Sequence, residues 1–531
     1  MGPDNGPRHP VEREPPEICR ARRTRERLQV TTSSPVAPAT LADAASLTSD
    51  TVDRLPAPVA VPTYDRAQLT PAVVHIGVGG FHRAHQAVYF DDLADRGIST
   101  GWGITGVGLR SPQMGEVLDD QDNLYTLVVR KPEGDDVRVI GSVIDYLYAP
   151  EDPEAVLSTL ADERTRLVTL TITGSAYPSG PVDPADEQVR ADVETPGTPG
   201  TAFGFIVEGL DRRRRAGVPP FTVLSCDNMQ HNGGATSEAV LSTARLRDPD
   251  LAEWIEANVT FPSSMVDRIT PETSPERRDE IAARHGVGDR WPVVTEAFSQ
   301  WVVEDDFCNG RPPLDQVGVE FVADVRPFEV MKTRMLNGAH SALGHLAVLA
   351  GFETTDQAMA NPTVRGYVEG FLAEAATGLL AVPGVDLDAY AATLVERFGN
   401  PQISDQISRL CRRSTTKMPS YVFPSLHLAL DHDRPRTHLV LAVAAWLRYL
   451  RGEDYAGADL QVQDVHADRL REIARRAGSD PRPLLAETDV FGSISGNERL
   501  AVELEAALEA LEAGPLEAVV ALTAASSELV A

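Results

Sequence analysis

From Val73 onward, short runs rich in β-branched and aromatic residues follow one another: VVHIGVG, WGITGVGL, LYTLVV, VRVIGSVIDYLY, RLVTLTIT, FTVLSCD, NVTF and WPVVTEAF, with helical patterns between them. The alternation therefore predicts βαβ units and a doubly wound parallel sheet. After about Val322 the period changes: segments such as LVLAVAAWLRYLRG and ERLAVELEAALEALEAG repeat apolar residues every three to four positions. That spacing predicts a mostly α-helical C-terminal domain. The expected division is an α/β domain at residues 63–322 and a helical domain at 323–531. Residues 1–62, rich in Arg, Pro, Ser and Thr, are expected to be a disordered tail dispensable for activity. The Pro/Gly-rich stretch from Pro178 to Pro199 reads as a surface loop, and the Asn-Gly of FCNGRPP as a tight hairpin.

Composition narrows the partners. A formal charge of −29 disfavours nucleic acid and anionic membranes, and no uninterrupted apolar run has the length of a membrane span. Cys19, Cys226, Cys308 and Cys411 stand singly, without CxxC spacing, which points to a reducing, cytoplasmic compartment and no structural zinc. A small molecule is the expected partner.

The first strand runs into HIGVGGFHRAHQ. Gly77 and Gly79 stand where a dinucleotide-binding turn needs a tight bend and a close approach to pyrophosphate, with Gly80 and Phe81 completing the turn. The position of the third glycine is His82, so the fingerprint is incomplete. A strand-to-helix turn that merely needs small residues accounts for the glycines equally well, and only their place at the first strand favours a cofactor. Ribose is read after the second strand, where Arg110 and Gln113 stand and no acid occurs before Glu116. NAD and NADP both remain open, with NAD favoured because Arg110 has no second cation to clamp a phosphate.

Only three of the 49 basic residues are lysines: Lys131, Lys332 and Lys417. A chain that uses arginine for its surface cations retains lysine where a deprotonatable amine is useful, although Lys131, in a polar turn, shows that chance also leaves some standing. Around Lys332, in FEVMKTRMLNGAHSALGHL, a helical wheel puts Glu329, Asn337 and His340 within an arc of about 140° from the lysine, with Met331, Met335, Leu336, Ala339 and Leu343 beside it. A solvated polar face carries the same pattern. The scarcity of lysine weighs against that alternative.

GVGGFHRAHQ, SCDNMQHNG, FPSSMVDRITP, QWVVEDDFCNGRP and KTRMLNGAHS occur in this order over Val73 to Leu450. The series resembles the polyol-specific long-chain dehydrogenases and reductases. The resemblance implies a Rossmann-type domain followed by a helical one, and an NAD(P)-dependent oxidoreductase interconverting a polyol and a ketose without a metal. By this resemblance Lys332 is the general base, Asn228 and Asn337 hold the reacting oxygen, His340 orients the substrate and Glu329 connects the base to solvent. Arg409 and Lys417 match polyol-pocket residues, and Asp267 is a further matching position, where a salt bridge with Arg268 explains the acid as well. SCDNMQHNG, VPGVDL and the Arg409/Lys417 pair resemble the mannitol 2-dehydrogenases of the family, acting on D-mannitol and D-fructose, more than its hexuronate reductases or arabinitol dehydrogenases. The resemblance further implies a monomer. Two departures stand out: Gln113 replaces the usual acid, and TGSAY, with Gly174 and Ser175, replaces a glutamate-bearing stretch.

Two readings from other classes compete. Ser414-Thr415-Thr416-Lys417 spells the SxxK of serine acyl-enzymes, but KTG and SDN are missing. A non-catalytic dinucleotide sensor would keep the glycine turn and need none of the Lys/Asn/His set.

Overall fold

Five of the strand-like runs pair, wholly or in part, as one parallel sheet. The computed structural model describes residues 44–530, with side chains through residue 525. Its strands are β1 (Pro71–Ile76), β2 (Gly103–Gly108), β3 (Tyr125–Lys131), β4 (Gly134–Ile140), β5 (Val143–Tyr148), β6 (Leu167–Leu170), β7 (Thr222–Ser225), β8 (Ser264–Asp267), β9 (Val293–Glu296), β10 (Gln300–Glu304) and β11 (Glu320–Val322). The main sheet has the order β5-β2-β1-β6-β7, every pair parallel. Side chains alternate between two buried layers, Val73 and Ile104 on one face and Val74, Ile76 and Val107 on the other. Burial on both faces is why these strands read as continuous apolar runs. The order reverses between β1 and β6, and open α/β sheets bind ligands at such a switch point.

Two three-stranded sheets extend this domain: β9-β3-β4, and β11-β10-β8. The Asn-Gly of FCNGRPP does not close a hairpin. β10 pairs antiparallel with β8 and parallel with β11, so residues 305–319 form a long connection. Pro312 and Pro313 lack the N–H groups that a hairpin ladder would need there. The Pro178–Pro199 stretch holds a helix, Glu187–Glu194, started by Asp186, whose carboxylate accepts from the Gln188 and Val189 N–H groups.

Residues 44–62 are not a loose tail. Leu47 is buried against Leu124, Val139 and Val287, and Ala60 exchanges backbone hydrogen bonds with Val137 and Val139. Their apolar residues are spaced irregularly and cover the edge of β4, a role that no period betrays. The expectation of disorder for residues 1–43 lies outside the described residues.

The helices used below are α1 (Gly80–Ala84), α2 (Gln113–Asp120), α3 (Asn232–Arg247), α4 (Arg326–Lys332), α5 (Gly338–Leu349), α6 (Leu387–Phe398), α7 (Ser414–Tyr421), α8 (Thr437–Tyr449) and α9 (Glu498–Leu511). A π-helical turn, Thr333–Asn337, joins α4 to α5. The helical region has its own core, in which Phe328, Met331, Met335, Leu336, Ala339 and Leu343 of the α4–α5 segment pack with residues of α8 and α9. The amphipathic reading of that segment holds on its apolar side. No helix among the described residues is long and apolar enough to cross a membrane.

Candidate active site

Gly77, directly after β1, has φ +100°, and a Cβ there would lie 2.3 Å from the carbonyl oxygen of Thr171, directly after β6. Only glycine fits. A Cβ on Gly79 would meet nothing nearer than 3.9 Å, which leaves that backbone open to a ligand. The cleft above this turn has a volume of about 1330 Å³ and is lined by Gly77, Gly79, Gly80, Phe81, Arg110 and Gln113, among others. Glu116 and Ser175 line it as well. Its size and its place at the switch point fit a dinucleotide. His82, at the third-glycine position, is fully buried and stacks on His75 with ring centroids 3.4 Å apart. An aromatic stack replaces the close helix-to-strand approach that a glycine gives.

The second cavity, about 320 Å³, is lined by Asn228, Glu329, Lys332 and Asn337, together with Asp227, Val266, Thr333, Ser420 and Tyr421. Asn228 enters from the carboxyl end of β7. Its loop is tied down by neighbours: Asp227 accepts from the Ile172 and Thr173 N–H groups at 3.0 and 2.7 Å. The Asn232 side chain, at the start of α3, donates to the Asp227 and Ser264 carbonyls and accepts from Ser264 N–H. The loops after β6 and β7 are thereby tied to each other and to the start of β8.

Lys332 is buried, and its Nζ donates to Asn228 Oδ1 at 2.5 Å and to the Val266 carbonyl at 2.8 Å. Burial lowers its pKa below the usual lysine value, with Asp267 opposing and Arg397 reinforcing the effect. A neutral amine has two N–H groups and one lone pair. Both N–H groups have acceptors, so the lone pair is left for the cavity. Five residues on, Asn337 faces the same cavity. A straight α-helix would put these two about 140° apart, whereas a π turn aligns residues i and i+5. The π turn is what brings the amide to the lysine's side, and the uniform helical wheel does not contain it.

Desolvation raises the Glu329 carboxyl to about 7 against the opposing hydrogen bonds from His231 N–H at 3.1 and 3.3 Å. It can exchange protons near neutrality. His340 does not line the lysine's cavity. Its ring packs on Phe398 with centroids 4.3 Å apart, faces both Asp267 and the Asp405–Arg409 pair electrostatically, and is held neutral by burial, its pKa pushed down to about 3. Arg409 is ion-paired with Asp405, and Lys417 donates to the Leu410 carbonyl at 3.1 Å. Arg409 faces His340, Lys417 lies near Arg409 and His345, and neither is hydrogen-bonded to Lys332.

Asp267 pairs with Arg397, at 2.8 and 2.9 Å, and not with Arg268, whose guanidinium serves the Ala84 and Glu296 carbonyls. The Glu296 carboxylate also takes Arg397, at 2.8 and 2.9 Å. Arg397, Ser420 and Tyr421 escaped the sequence analysis. They lie 65 to 89 positions beyond Lys332, in segments whose apolar period marks only helix. The SxxK pair is not assembled: Ser414 is buried and shares a 2.8 Å hydrogen bond with His345, while Lys417 points to backbone carbonyls. Among the described residues no three His, Cys, Asp or Glu side chains converge in a metal-binding arrangement.

Residues 71–316 match the model of the mannitol dehydrogenase Rossmann domain, and residues 324–512 that of the mannitol dehydrogenase C-terminal domain. A mannitol 2-dehydrogenase of Aspergillus fumigatus is 44% identical over 464 residues, covering 85% of this chain and 92% of the relative. Among solved structures, Pseudomonas fluorescens mannitol 2-dehydrogenase in a ternary complex with NAD and D-mannitol is 38% identical with a TM-score of 0.80, covering 90% of this chain and 99% of that one. A substrate-free D-sorbitol dehydrogenase is 36% identical with a TM-score of 0.84, covering 89% and 99%.

Proposed function

The chain belongs to the mannitol dehydrogenase family, and from that premise we propose that it is an NAD-dependent polyol dehydrogenase interconverting D-mannitol and D-fructose, with Lys332 as general base and no metal. The observation that carries the mechanism is the pairing of both Lys332 N–H groups with Asn228 and Val266. The free lone pair takes the alcohol proton. With its oxygen committed to Lys332, Asn228 turns its NH₂ to the reacting oxygen, and Asn337 lines the same space. Such donors stabilise a developing alkoxide by roughly a few kcal/mol each. NAD, when bound, accepts the hydride from the carbinol carbon. Gly77, Gly79, Gly80 and Phe81 would hold its pyrophosphate side, and Arg110 and Gln113 its ribose side. Glu329, with its pKa near 7, passes the proton on. His340, Arg409 and Lys417 orient the distal hydroxyls.

The free Cys226, Cys308 and Cys411 support a reducing, cytoplasmic setting, and the monomer rests on the family resemblance alone. The deciding experiment is a panel of D-mannitol, D-arabinitol, D-sorbitol, D-mannonate and D-altronate with NAD and NADP, followed by reduced nicotinamide absorbance. D-Mannitol with NAD should give the highest kcat/KM. Preference for either sugar acid would move the enzyme to the hexuronate reductases. Prolonged chelation should leave turnover unchanged, and specific restoration of lost activity by zinc would overturn the metal-free mechanism.

A further inference from the structure

The last turn of α6 carries two adjacent side chains, of which Arg397 reaches into the α/β domain and Phe398 packs on α5 of the helical region. Arg397 forms four hydrogen bonds to Asp267, at the end of β8, and Glu296, at the end of β9, and all three residues are buried. Its guanidinium also lies 4.0 Å over the Phe298 ring. A buried ion cluster of this kind is a poor source of stability, because desolvation of each charge offsets the attraction. Its retention calls for another explanation, and its position supplies one. Asp267 follows Val266, the residue whose carbonyl takes Lys332. The carboxylate clamped by Arg397 is the opposing charge that faces Lys332. The next side chain, Phe398, packs on His340.

We propose that the end of α6 is the positioning device of the active site: Arg397 holds Asp267, and with it the strand carrying the Val266 carbonyl, against Lys332, while Phe398 holds the His340 ring. The proposal rests on Lys332 being the base. Neither Arg397 nor Phe398 lines the lysine's cavity, so both act through the residues they fix. The charged and titratable groups that face Lys332 are Asp267 from β8, Arg397 from α6, Glu329 from its own helix, and His85, which burial holds neutral. Asn228 completes its polar surroundings. Loss of the Arg397 cation leaves Asp267 uncompensated beside the amine and favours the ammonium form. Loss of the Glu296 charge leaves Arg397 less compensated and favours the free amine. The two substitutions therefore move Lys332 in opposite directions, which a purely structural role does not do.

The scarcity of lysine makes a direct test practical. Protein labelled with ¹⁵Nζ-lysine has three side-chain signals, from Lys131, Lys332 and Lys417, and that of Lys332 is assigned by its disappearance in Lys332→Arg. In Arg397→Gln the Lys332 titration should move up by about one pH unit or more. In Glu296→Gln it should move to lower pH. The pH at which kcat/KM for alcohol oxidation rises should follow the signal in both. Phe398→Leu should raise KM for the polyol several-fold and leave the Lys332 titration in place. An unmoved Lys332 signal in the glutamine variants overturns the role of Arg397, and if Arg397→Gln does not fold, Glu296→Gln alone decides. An unchanged KM in Phe398→Leu overturns the role of Phe398. A signal that moves while the activity limb stays put overturns instead the assignment of Lys332 as base.

Discussion

Lys332 and Lys417 are two of the three lysines in a chain that otherwise uses arginine, and both have lowered pKa values, Lys417 to about 8, although Lys332 is buried and Lys417 only half-buried. Their surroundings differ in kind. Lys332 faces an aspartate and is aligned by an amide oxygen from the loop after β7 and a carbonyl of strand β8, both in the α/β domain. Lys417 lies among Arg409, Arg412 and Arg413, and its bonds are to carbonyls of the segment just before its own helix. A low pKa alone does not make a base. Lys332 lines a cavity with two asparagines, the setting that the proposed base needs, whereas the lowered pKa of Lys417 comes from burial and crowding by like charge.

The comparison breaks most severely at Lys332. Lys332→Ala should reduce turnover by ~10²–10⁴-fold or more while leaving cofactor binding near normal by fluorescence titration. Lys332→Arg should be almost as poor, because a guanidinium cannot take the proton. An arginine variant that oxidises polyol at the native rate would end the assignment. The pH profile has a definite sign. Oxidation needs the free amine, so kcat/KM rises as pH passes the lowered pKa of Lys332, and ketone reduction, which needs the ammonium, falls over the same range. Glu329→Gln comes next. It should cost roughly 10-fold, less than loss of the base itself, by removing the group that passes the proton on. It also removes a negative charge that raises the Lys332 pKa, so the oxidation limb should move to lower pH even as the maximum falls. A limb that moves upward would contradict the contact.

The alternation of strands and helices, the glycine turn and the nearness of Glu329 to Lys332 were legible because each follows from a local rule: period, turn geometry, or an amine in a place where arginine is the habit. Arg397 was not, because its partners Asp267 and Glu296 stand 130 and 101 positions away and nothing local distinguishes it from the other arginines. The π turn at Thr333–Asn337 was invisible for the opposite reason, since a helical wheel imposes one angle on every residue. For Asp267 the sequence supports either a functional position or a bridge to its neighbour Arg268, and the structure pairs it with the distant Arg397 instead. The packing of residues 44–62 was missed because Leu47, Val52, Leu55, Val59 and Val61 cover an edge without forming a regular face.

A smaller effect is expected at the second lysine. If Lys417 holds a distal hydroxyl of the polyol, as proposed, Lys417→Met should raise KM for the polyol about 10-fold, the size of one hydrogen bond to a charged group, with the pH limb unmoved. Steady-state kinetics across pH separate the two lysines. If Lys417→Met instead abolished kcat and moved the limb, the contrast drawn between them would be reversed.

The smallest effect lies in the cofactor cleft, where the side chains are held less tightly than around Lys332. Gln113 is exposed at the start of α2 and lines the cleft with Arg110 and Glu116. An amide there neither repels a 2′-phosphate nor binds one firmly, so the preference for NAD should be blunt. Gln113→Asp should depress kcat/KM with NADP several-fold and leave NAD nearly unchanged, because a carboxylate facing a phosphate dianion is repulsive, while exposure and salt keep that repulsion modest. Raising the ionic strength should then restore part of the NADP activity, a recovery that a change in loop packing would not give. If the NAD/NADP ratio of kcat/KM stays fixed in the variant, ribose is read by Glu116 or by backbone groups, and the departure at Gln113 has no bearing on cofactor choice.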